Sequence, residues 1–308
     1  MIIDHSLFNR KADLIDYFSD RSSEATSDLF DTYGSKNFKK IAQKIPVAIK
    51  ETRDNLLRVV KEKSLRERWG IEETYKSRLL INHVANVLML RSRHEVWPYE
   101  YMAFSRRVGE LWESFMSVCF HESFSSDLEF VIPPLFSDVR KELHSEVVSF
   151  IEKLNLNYEE KQNLLSYYNK VWLLVDAGEI KLELDMHFKK EEIFYNIDFK
   201  SGFSSNEKGN TNRLLVVASI FLNIIENEYR NLLIVRTPEE GNNHYLQTLK
   251  KSTLWDVYCG DQAYEKIGQL INFNINGWIS ENINWPSDLG HEMFNDLKRD
   301  NLSKYLEW

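Results

Sequence analysis

Residues 181–200, KLELDMHFKKEEIFYNIDFK, alternate between apolar and polar side chains along two short runs. The apolar positions are Leu182, Leu184, Met186 and Phe188 in the first run, and Ile193, Tyr195, Ile197 and Phe199 in the second. Because successive side chains on a strand point to opposite faces, this spacing predicts a two-stranded hairpin with a charged turn. The polar side chains of Asp185, Asp198 and Lys200 then share one face of the hairpin.

The length of the turn decides which acid lies opposite Asp198. A two-residue loop at 191–192 places Asp185 there, whereas a four-residue loop at 189–192 places Glu183 there. Either register brings two carboxylates to ~5 Å of each other between their Cβ atoms. Like charges in that position destabilise a strand pair unless something neutralises them, and a divalent cation is the obvious candidate. We prefer Asp185, because it is nearer the turn, and keep Glu183 as the alternative or as an additional acid.

Composition and charge limit the class of protein. The chain has 308 residues, of which 43% are hydrophobic, enough for one large domain or two ordinary ones. Its formal net charge of -8 argues against coating nucleic acid by charge alone. The two cysteines, Cys119 and Cys259, lie far apart and form no metal-ligand spacing. The N-terminus lacks the apolar run of a signal peptide, and no stretch is long and apolar enough for a membrane span. We therefore expect a cytoplasmic protein without a membrane partner.

The rest of the chain is expected to be mainly helical. Apolar residues at helical spacing predict helices at 6–19, 38–63 (broken or kinked at Pro46), 71–93, 99–120, 138–154, 158–176 and 214–229. The continuous apolar run at 231–237 predicts an interior strand. In the last third we expect a short strand at 254–258, a helix capped by Asp261 and ending near Ile271, and another helix from Asp288 onward.

Two carboxylates and a lysine on one strand face suit a particular chemistry. Asp185 and Asp198 can hold Mg²⁺ through oxygen ligands while water completes its shell. Such an ion polarises a phosphodiester and lowers the pKa of bound water. Lys200 can orient that water or stabilise negative charge on the phosphate. His187 is on the same face, and we interpret it as a half-exposed strand histidine without a catalytic role; a solvated face of mixed charge is the alternative for the whole set.

The order helix 99–120, hairpin, helix 214–229 and strand 231–237 resembles the catalytic core of the PD-(D/E)xK nucleases. Within that superfamily the chain most resembles a type II restriction endonuclease in its length. It also resembles those enzymes in the polar loop after IDFKSG and in the segment WDVYCGDQAYEKIG at 255–268. The resemblance covers about 99–270.

This resemblance implies roles for particular residues. Asp185 and Asp198 would be Mg²⁺ ligands, and Lys200 would be the catalytic lysine. Glu110 or Glu113 would correspond to the acid that some members carry on the preceding helix.

The resemblance also implies an α/β (α+β) fold class. We expect a restriction-endonuclease-like core with a central mixed sheet flanked by helices, spanning 99–308 and holding a helical insertion at about 125–178. Residues 1–98 would form a mostly helical N-terminal region packed on that core.

A small, polar segment without periodicity, 201–213, follows the hairpin and predicts a loop. Its candidate DNA-binding side chains are Ser204, Ser205, Asn206, Lys208, Asn210, Asn212 and Arg213. Asparagine and arginine pair with base edges in the major groove, whereas lysine and serine more often hold phosphates. An ordinary polar surface loop is the alternative.

These observations lead to one preferred function and two alternatives. We expect a Mg²⁺-dependent, sequence-specific endonuclease of double-stranded DNA that acts as a homodimer, because a symmetric site is cut by two symmetry-related active sites. The first alternative is a non-specific, repair or phage-defence nuclease of the same fold. The second is a non-enzymatic, helical interaction protein whose acids merely lie on the surface.

Overall fold

The computed structural model describes residues 5–123, 125, 127–175, 180–204 and 207–308, without the side chains of 5, 6 and 173–175. The chain divides into two compact units. The helical unit contains the described residues before Asp127 together with Asp261–Trp308, and the sheet unit contains Asp127–Gly260. The chain enters the sheet unit at Asp127 and returns to the helical unit at Asp261.

The helical unit consists of two sets of α-helices. The N-terminal set is α1 (His5–Asn9), α2 (Lys11–Tyr33), α3 (Phe38–Glu67), α4 (Ile71–Val96) and α5 (Tyr101–His121). The C-terminal set is α10 (Asp261–Ile271), α11 (Ile275–Asn282), α12 (Trp285–Asp288) and α13 (His291–Arg299).

Helix α4 lies at the centre of this unit. Every residue from 79 to 90 is buried, and a helix that is buried on all sides belongs to the middle of a core. Helix α3 passes through Pro46 without ending, so of the expected break or kink at this residue the break is wrong. The last predicted helix is also displaced, because α12 ends at Asp288 and α13 begins at His291. The expected helix from Asp261 to Ile271 is confirmed as α10.

Within its described residues, the sheet unit combines one five-stranded sheet with four α-helices. Its strands are β1 (Glu129–Phe130), β2 (Met186–Lys190), β3 (Ile193–Lys200), β4 (Tyr229–Val235) and β5 (Asp256–Cys259). Its helices are α6 (Phe136–Lys153), α7 (Tyr158–Val175), α8 (Lys208–Asn223) and α9 (His244–Lys251). The strand order is β1-β2-β3-β4-β5, antiparallel from β1 to β3 and parallel from β3 to β5. The expected α+β class with a mixed sheet flanked by helices is confirmed.

The hairpin has the register of the two-residue loop. Lys190 pairs with Ile193, and Met186 pairs with Ile197 at the other end of the ladder. Continued by one residue, this register sets Asp185 opposite Asp198, so the four-residue loop with Glu183 in that place is wrong. The first strand is shorter than expected, because 181–185 lies outside the ladder.

The predicted loop at 201–213 is also shorter than expected. Helix α8 begins at Lys208, six residues before the helix that the apolar spacing predicted. The first turns of α8 are polar because they lie at the edge of the sheet, and a search for apolar periodicity misses such turns. Within the described residues, no helix combines the length and apolarity needed to cross a bilayer.

Candidate active site

The proposed acids come together at one edge of the sheet. The parallel strands β3, β4 and β5 end there, and the antiparallel β2 begins there. The carboxyl ends of parallel strands are where open α/β sheets commonly bind ligands. Asp185 precedes β2 by one residue and Asp198 lies near the end of β3, so both carboxylates belong to this edge.

Helix α8 covers the face of the sheet that carries Asp198. Asp198 is in register with Leu233 of β4, and Leu233 packs in one buried cluster with Val217 of α8. As a result, only 1% of the Asp198 side chain is exposed. At Asp198 the polar face is therefore not solvated, whereas Asp185 is exposed.

Two cations contact the buried Asp198 carboxylate. Lys200 Nζ forms an ion pair with Oδ1, and Arg213 NH2 lies 3.3 Å from Oδ2. Arg213 also donates from NH1 to the carbonyl oxygen of Glu183 at 3.3 Å. Lys200 Nζ donates in addition to the carbonyl oxygen of Phe199 at 3.1 Å.

The pKa of the Asp198 carboxyl is raised above its ordinary value. Burial is the largest cause, because it removes water from the charged form. The Lys200 ammonium opposes this rise, and the nearby Asp185 carboxylate adds to it. A second negative charge therefore acts on Asp198, as the hairpin register requires.

Asp185 is exposed, and a backbone contact fixes its position. The backbone N–H of Phe199 donates to Asp185 Oδ2 at 2.7 Å. This bond crosses from β3 to the residue before β2 and holds one carboxylate oxygen at the end of the ladder. Glu183 is exposed two residues earlier and, in this register, does not lie opposite Asp198.

A buried chain of polar side chains supports the segment before Asp185. The backbone N–H of Leu184 donates to His187 Nε2 at 2.8 Å, so His187 carries its proton on Nδ1 and donates it to Asn196 Oδ1 at 2.7 Å. Asn196 Nδ2 then donates to Asn231 Oδ1 at 2.8 Å. This chain joins three strands and turns the backbone out of the sheet just before Asp185.

The interpretation of His187 as half-exposed is wrong, since α8 buries it. Burial lowers the pKa of its imidazole, which favours the neutral form that these hydrogen bonds require. Sequence reasoning also missed Asn231. A polar residue near the start of an otherwise apolar strand was the available signal.

The donor atoms at this edge fit a magnesium ion. Mg²⁺ favours oxygen ligands and commonly takes one or two carboxylates together with several waters. Asp185 and Asp198 supply the carboxylates, and no well-aligned hydrogen bond reaches the buried Oδ1 of Asp198 within the described part of the chain. In that same part, no group of three or more His, Cys, Asp or Glu side chains is placed to hold a metal, so water would complete the shell around the two carboxylates.

The candidate DNA-binding residues have different environments. Ser205 and Asn206 lie outside the described residues. Lys208 and Asn212 are exposed one turn apart on α8, and so they share a face. The remaining three make contacts within the chain, which are the Ser204 carbonyl with Asn243, the Asn210 amide with Glu207, and Arg213 with Asp198.

The two glutamates proposed on the preceding helix belong to α5 in the helical unit, whereas Asp185 and Asp198 belong to the sheet unit. Glu110 pairs there with Arg107 at 3.3 Å and with Arg106 at 3.6 Å. Glu113 is one turn further along the same helix.

Comparison with known proteins does not identify the chain. No family model, no curated protein and no solved structure matches it. A functional assignment therefore has to be argued from the geometry of this edge.

Proposed function

We propose that this protein is a Mg²⁺-dependent endonuclease of double-stranded DNA, of restriction type, with a PD-(D/E)xK-like core. One observation carries the proposal. The hairpin register sets Asp185 opposite Asp198, and Lys200 contacts Asp198 from the same strand. A pair of acids and a lysine at one strand edge can hold Mg²⁺ and place a positive charge beside a phosphodiester, which suits its hydrolysis.

The topology of the sheet unit supports the proposal. An antiparallel hairpin is followed by helix α8 and then by β4, which is parallel to the second strand of the hairpin. The resemblance to the PD-(D/E)xK nucleases implies this order. Arg213, in the second turn of α8, also brings a positive charge to Asp198, which would add to attraction for a phosphate.

Each residue has a role that its position allows. Asp185 and Asp198 would hold the metal ion through carboxylate oxygens. When bound, Mg²⁺ supplies a Lewis acid next to the phosphate and favours ionisation of water. Lys200 would orient the attacking water or stabilise charge on the phosphate. Arg213 contributes a second cation and can pair with a DNA phosphate, and exposed Lys208 and Asn212 would contact the backbone or base edges.

Digestion of long, unmodified phage DNA by the full chain, with Mg²⁺ or with a chelator, tests the proposal. The wild type should cleave only with Mg²⁺, and Lys200→Ala should lower the rate at least ~10²-fold, the scale of losing one charge-stabilising donor. Lys189→Ala is the matched control, because Lys189 pairs with Glu192 at the opposite end of the same hairpin. Full cleavage by folded Lys200→Ala would overturn the assignment.

The pattern of products separates the two nuclease functions. Discrete fragments would support sequence-specific cleavage, and a continuous smear would assign the chain to the non-specific or repair class of the same fold. The net charge of -8 favours specific recognition, because non-specific binding depends on phosphate charge.

A second function is favoured by the charge balance around Asp198. Lys200 and Arg213 together offset the charges of Asp185 and Asp198, so the cluster can hold α8 on the sheet without a metal ion. In that case the protein would be a non-enzymatic interaction module. Titration of the wild type with Mn²⁺, followed by paramagnetic relaxation of water protons, would then show no bound ion. The substitution Asp185→Asn would cause no loss of function.

A further inference from the structure

Helices α6 and α7 form a hairpin whose distal half is covered by no other part of the described chain. Among the described side chains of α7, from 158 to 172, none is buried. The two helices hold each other through the Lys161–Glu152 ion pair at 3.7 Å and the stacked rings of His144 and Tyr168.

Along α6, one apolar face passes from buried to exposed. Phe136 and Phe150 are separated by two heptads and therefore lie on the same side of the helix. Phe136 packs in the core of the sheet unit at 8% exposure, whereas Phe150 is 64% exposed. The first turns of α6 therefore pack in the core of the sheet unit, and its later turns extend beyond that core.

Along α7, two apolar stripes lie side by side. Tyr168 and Trp172 belong to the stripe that packs on α6, where Trp172 meets Phe136. A second stripe at spacings of three and four is exposed and consists of Leu164, Tyr167 and Val171, with Tyr167 at 66%. A surface helix normally has one apolar stripe, which packs on the core, and a polar face towards water. The second apolar stripe of α7 is therefore not explained by packing within the chain.

Such a surface calls for a partner. Helices in proteins gain most of their stability from packing an apolar face, and contiguous apolar patches on a folded chain mark interaction sites. The exposed parts of Phe150 and Tyr167 alone amount to roughly 250 Å² per copy. That is about a third of the ~800 Å² that each partner contributes to a standard interface.

We propose that the distal α6–α7 hairpin is the dimerisation surface of this protein and that its occupant is the same hairpin of a second copy. A two-fold interface uses the same patch on both subunits, and two antiparallel helix pairs complete a four-helix bundle. Charge permits this pairing. Residues 136–175 contain six acidic and five basic side chains, so the hairpin carries almost none of the charge of -8 that would repel two copies.

The choice of a second copy rests in part on the proposed function, because cutting both strands of a symmetric site calls for two active sites. The surface itself does not depend on catalysis. The test therefore measures mass without DNA or Mg²⁺, so that failed dimerisation and failed cleavage are separate results.

Sedimentation velocity of the full chain over a range of concentrations provides that measurement. We expect a dimer for the wild type, and we expect Phe150→Glu and Tyr167→Glu each to raise the dimer dissociation constant at least about 30-fold. Both side chains are already exposed, so the variants should fold, which circular dichroism and melting would verify. Phe150→Ser is a milder second variant of the same position. Leu65→Glu in the helical unit, 75% exposed, is the matched control and should remain dimeric.

Each outcome of the sedimentation experiment either supports or overturns the proposed dimer surface. A dimer that both hairpin variants dissociate and the control does not would support the proposal. A monomeric wild type would overturn it, as would retention of the dimer by either hairpin variant or dissociation by Leu65→Glu. A monomer that floats with phosphatidylcholine vesicles would assign the surface to lipid and would likewise overturn the proposal.

Discussion

Two buried aspartates, one in each unit, have similar partners but different surroundings. Asp198 contacts Lys200 and Arg213, and Asp288 in the helical unit contacts Lys11 at 2.6 Å. Both side chains are 1% exposed, and in both the Oδ1 atom lies against a lysine ammonium without a well-aligned hydrogen bond. By burial and by the lysine at Oδ1, the two clusters are alike, although Asp198 has Arg213 as a second cation.

The uncharged or acidic neighbour of each carboxylate distinguishes the two clusters, which is His83 for Asp288 and Asp185 for Asp198. Asp288 Oδ2 accepts hydrogen bonds from His83 Nε2 at 2.8 Å and from the backbone N–H of Asn284 at 3.0 Å. Burial lowers the pKa of His83, so the imidazole is neutral and this contact is a hydrogen bond and not an ion pair. The rings of Trp285 and Trp308 pack against the imidazole of His83. The cluster is a structural clamp, in which Lys11 of α2 and His83 of α4 meet α12.

At Asp198, by contrast, the neighbouring group is a second carboxylate. The pKa of Asp198 is raised, whereas burial alone would raise that of Asp288 but the hydrogen bonds of His83 and Lys11 lower it. Asp288 is thus a carboxylate whose charge the fold stabilises, and Asp198 is one whose charge the fold leaves partly unfavourable. A buried acid paired with a lysine is therefore not by itself a candidate metal site, and the exposed second acid, Asp185, is the feature that makes the Asp198 cluster one.

The largest expected effect comes from exchanging each aspartate for asparagine. Asp198→Asn should lower Mg²⁺-dependent cleavage about 10³-fold or more, because a metal ligand worth several kcal/mol is lost. Its stability should change little, since burial already disfavours the charge. Asp288→Asn should leave the activity of folded protein unchanged and should lower the free energy of unfolding by about 2–4 kcal/mol, because Lys11 loses its buried partner.

Urea unfolding and a single-turnover cleavage assay on both variants measure these four quantities. Equal losses of stability in the two variants would show that Asp198 is a structural clamp like Asp288. Activity in Asp198→Asn close to that of the wild type would remove the metal site from the proposal altogether.

A smaller effect is expected from the polar chain that supports Asp185. His187→Phe keeps the ring but removes both nitrogens, so Leu184 loses its acceptor and the segment before Asp185 loosens. Outer groups of this kind typically change metal affinity 10- to 100-fold. We expect the Mg²⁺ concentration for half-maximal cleavage to rise about 10-fold, with a change below about threefold at saturating Mg²⁺.

His144→Phe is the control for this substitution, because His144 stacks on Tyr168 in the helical hairpin, away from the polar chain. His187→Gln, which can still donate to Asn196, should restore part of the affinity. A loss of rate at all Mg²⁺ concentrations, without a shift of the midpoint, would contradict a positioning role.

The smallest expected effect is the pH dependence of stability that arises from the structural clamp around Asp288. The pKa values of His83 and Asp288 both lie below their ordinary values in the folded protein. The unfolded chain therefore binds more protons as the pH falls, and stability is lost on acidification, first below about pH 6.5 through His83 and then below about pH 4 through Asp288. Melting temperatures between pH 7.5 and 5 should fall for the wild type and should fall less for His83→Gln. Parallel curves for the two proteins would exclude His83 as the titrating group.

The sequence predicted the local elements that have a simple periodicity. The hairpin alternation, the apolar run of β4 and the helix α10 could all be assigned, because the spacing of apolar residues repeats within each element. Elements whose ends are polar could not be bounded in this way. Helix α8 starts at Lys208 among residues that favour a loop by composition, and β2 starts only at Met186 because His187 binds the backbone of Leu184.

The sequence by itself determined that Asp185, Asp198 and Lys200 share one face of a hairpin, because side-chain direction along a strand depends only on position. Tertiary structure decided the rest. Docking of α8 on that face buried Asp198 and brought Arg213 to it, which turned a polar surface into the candidate site. Pairing between residues distant in sequence depends on which helix covers which face, and local spacing does not predict it. The distal α6–α7 hairpin is a second example. Its residue spacing predicts an apolar face, and only the tertiary structure shows that this face is exposed.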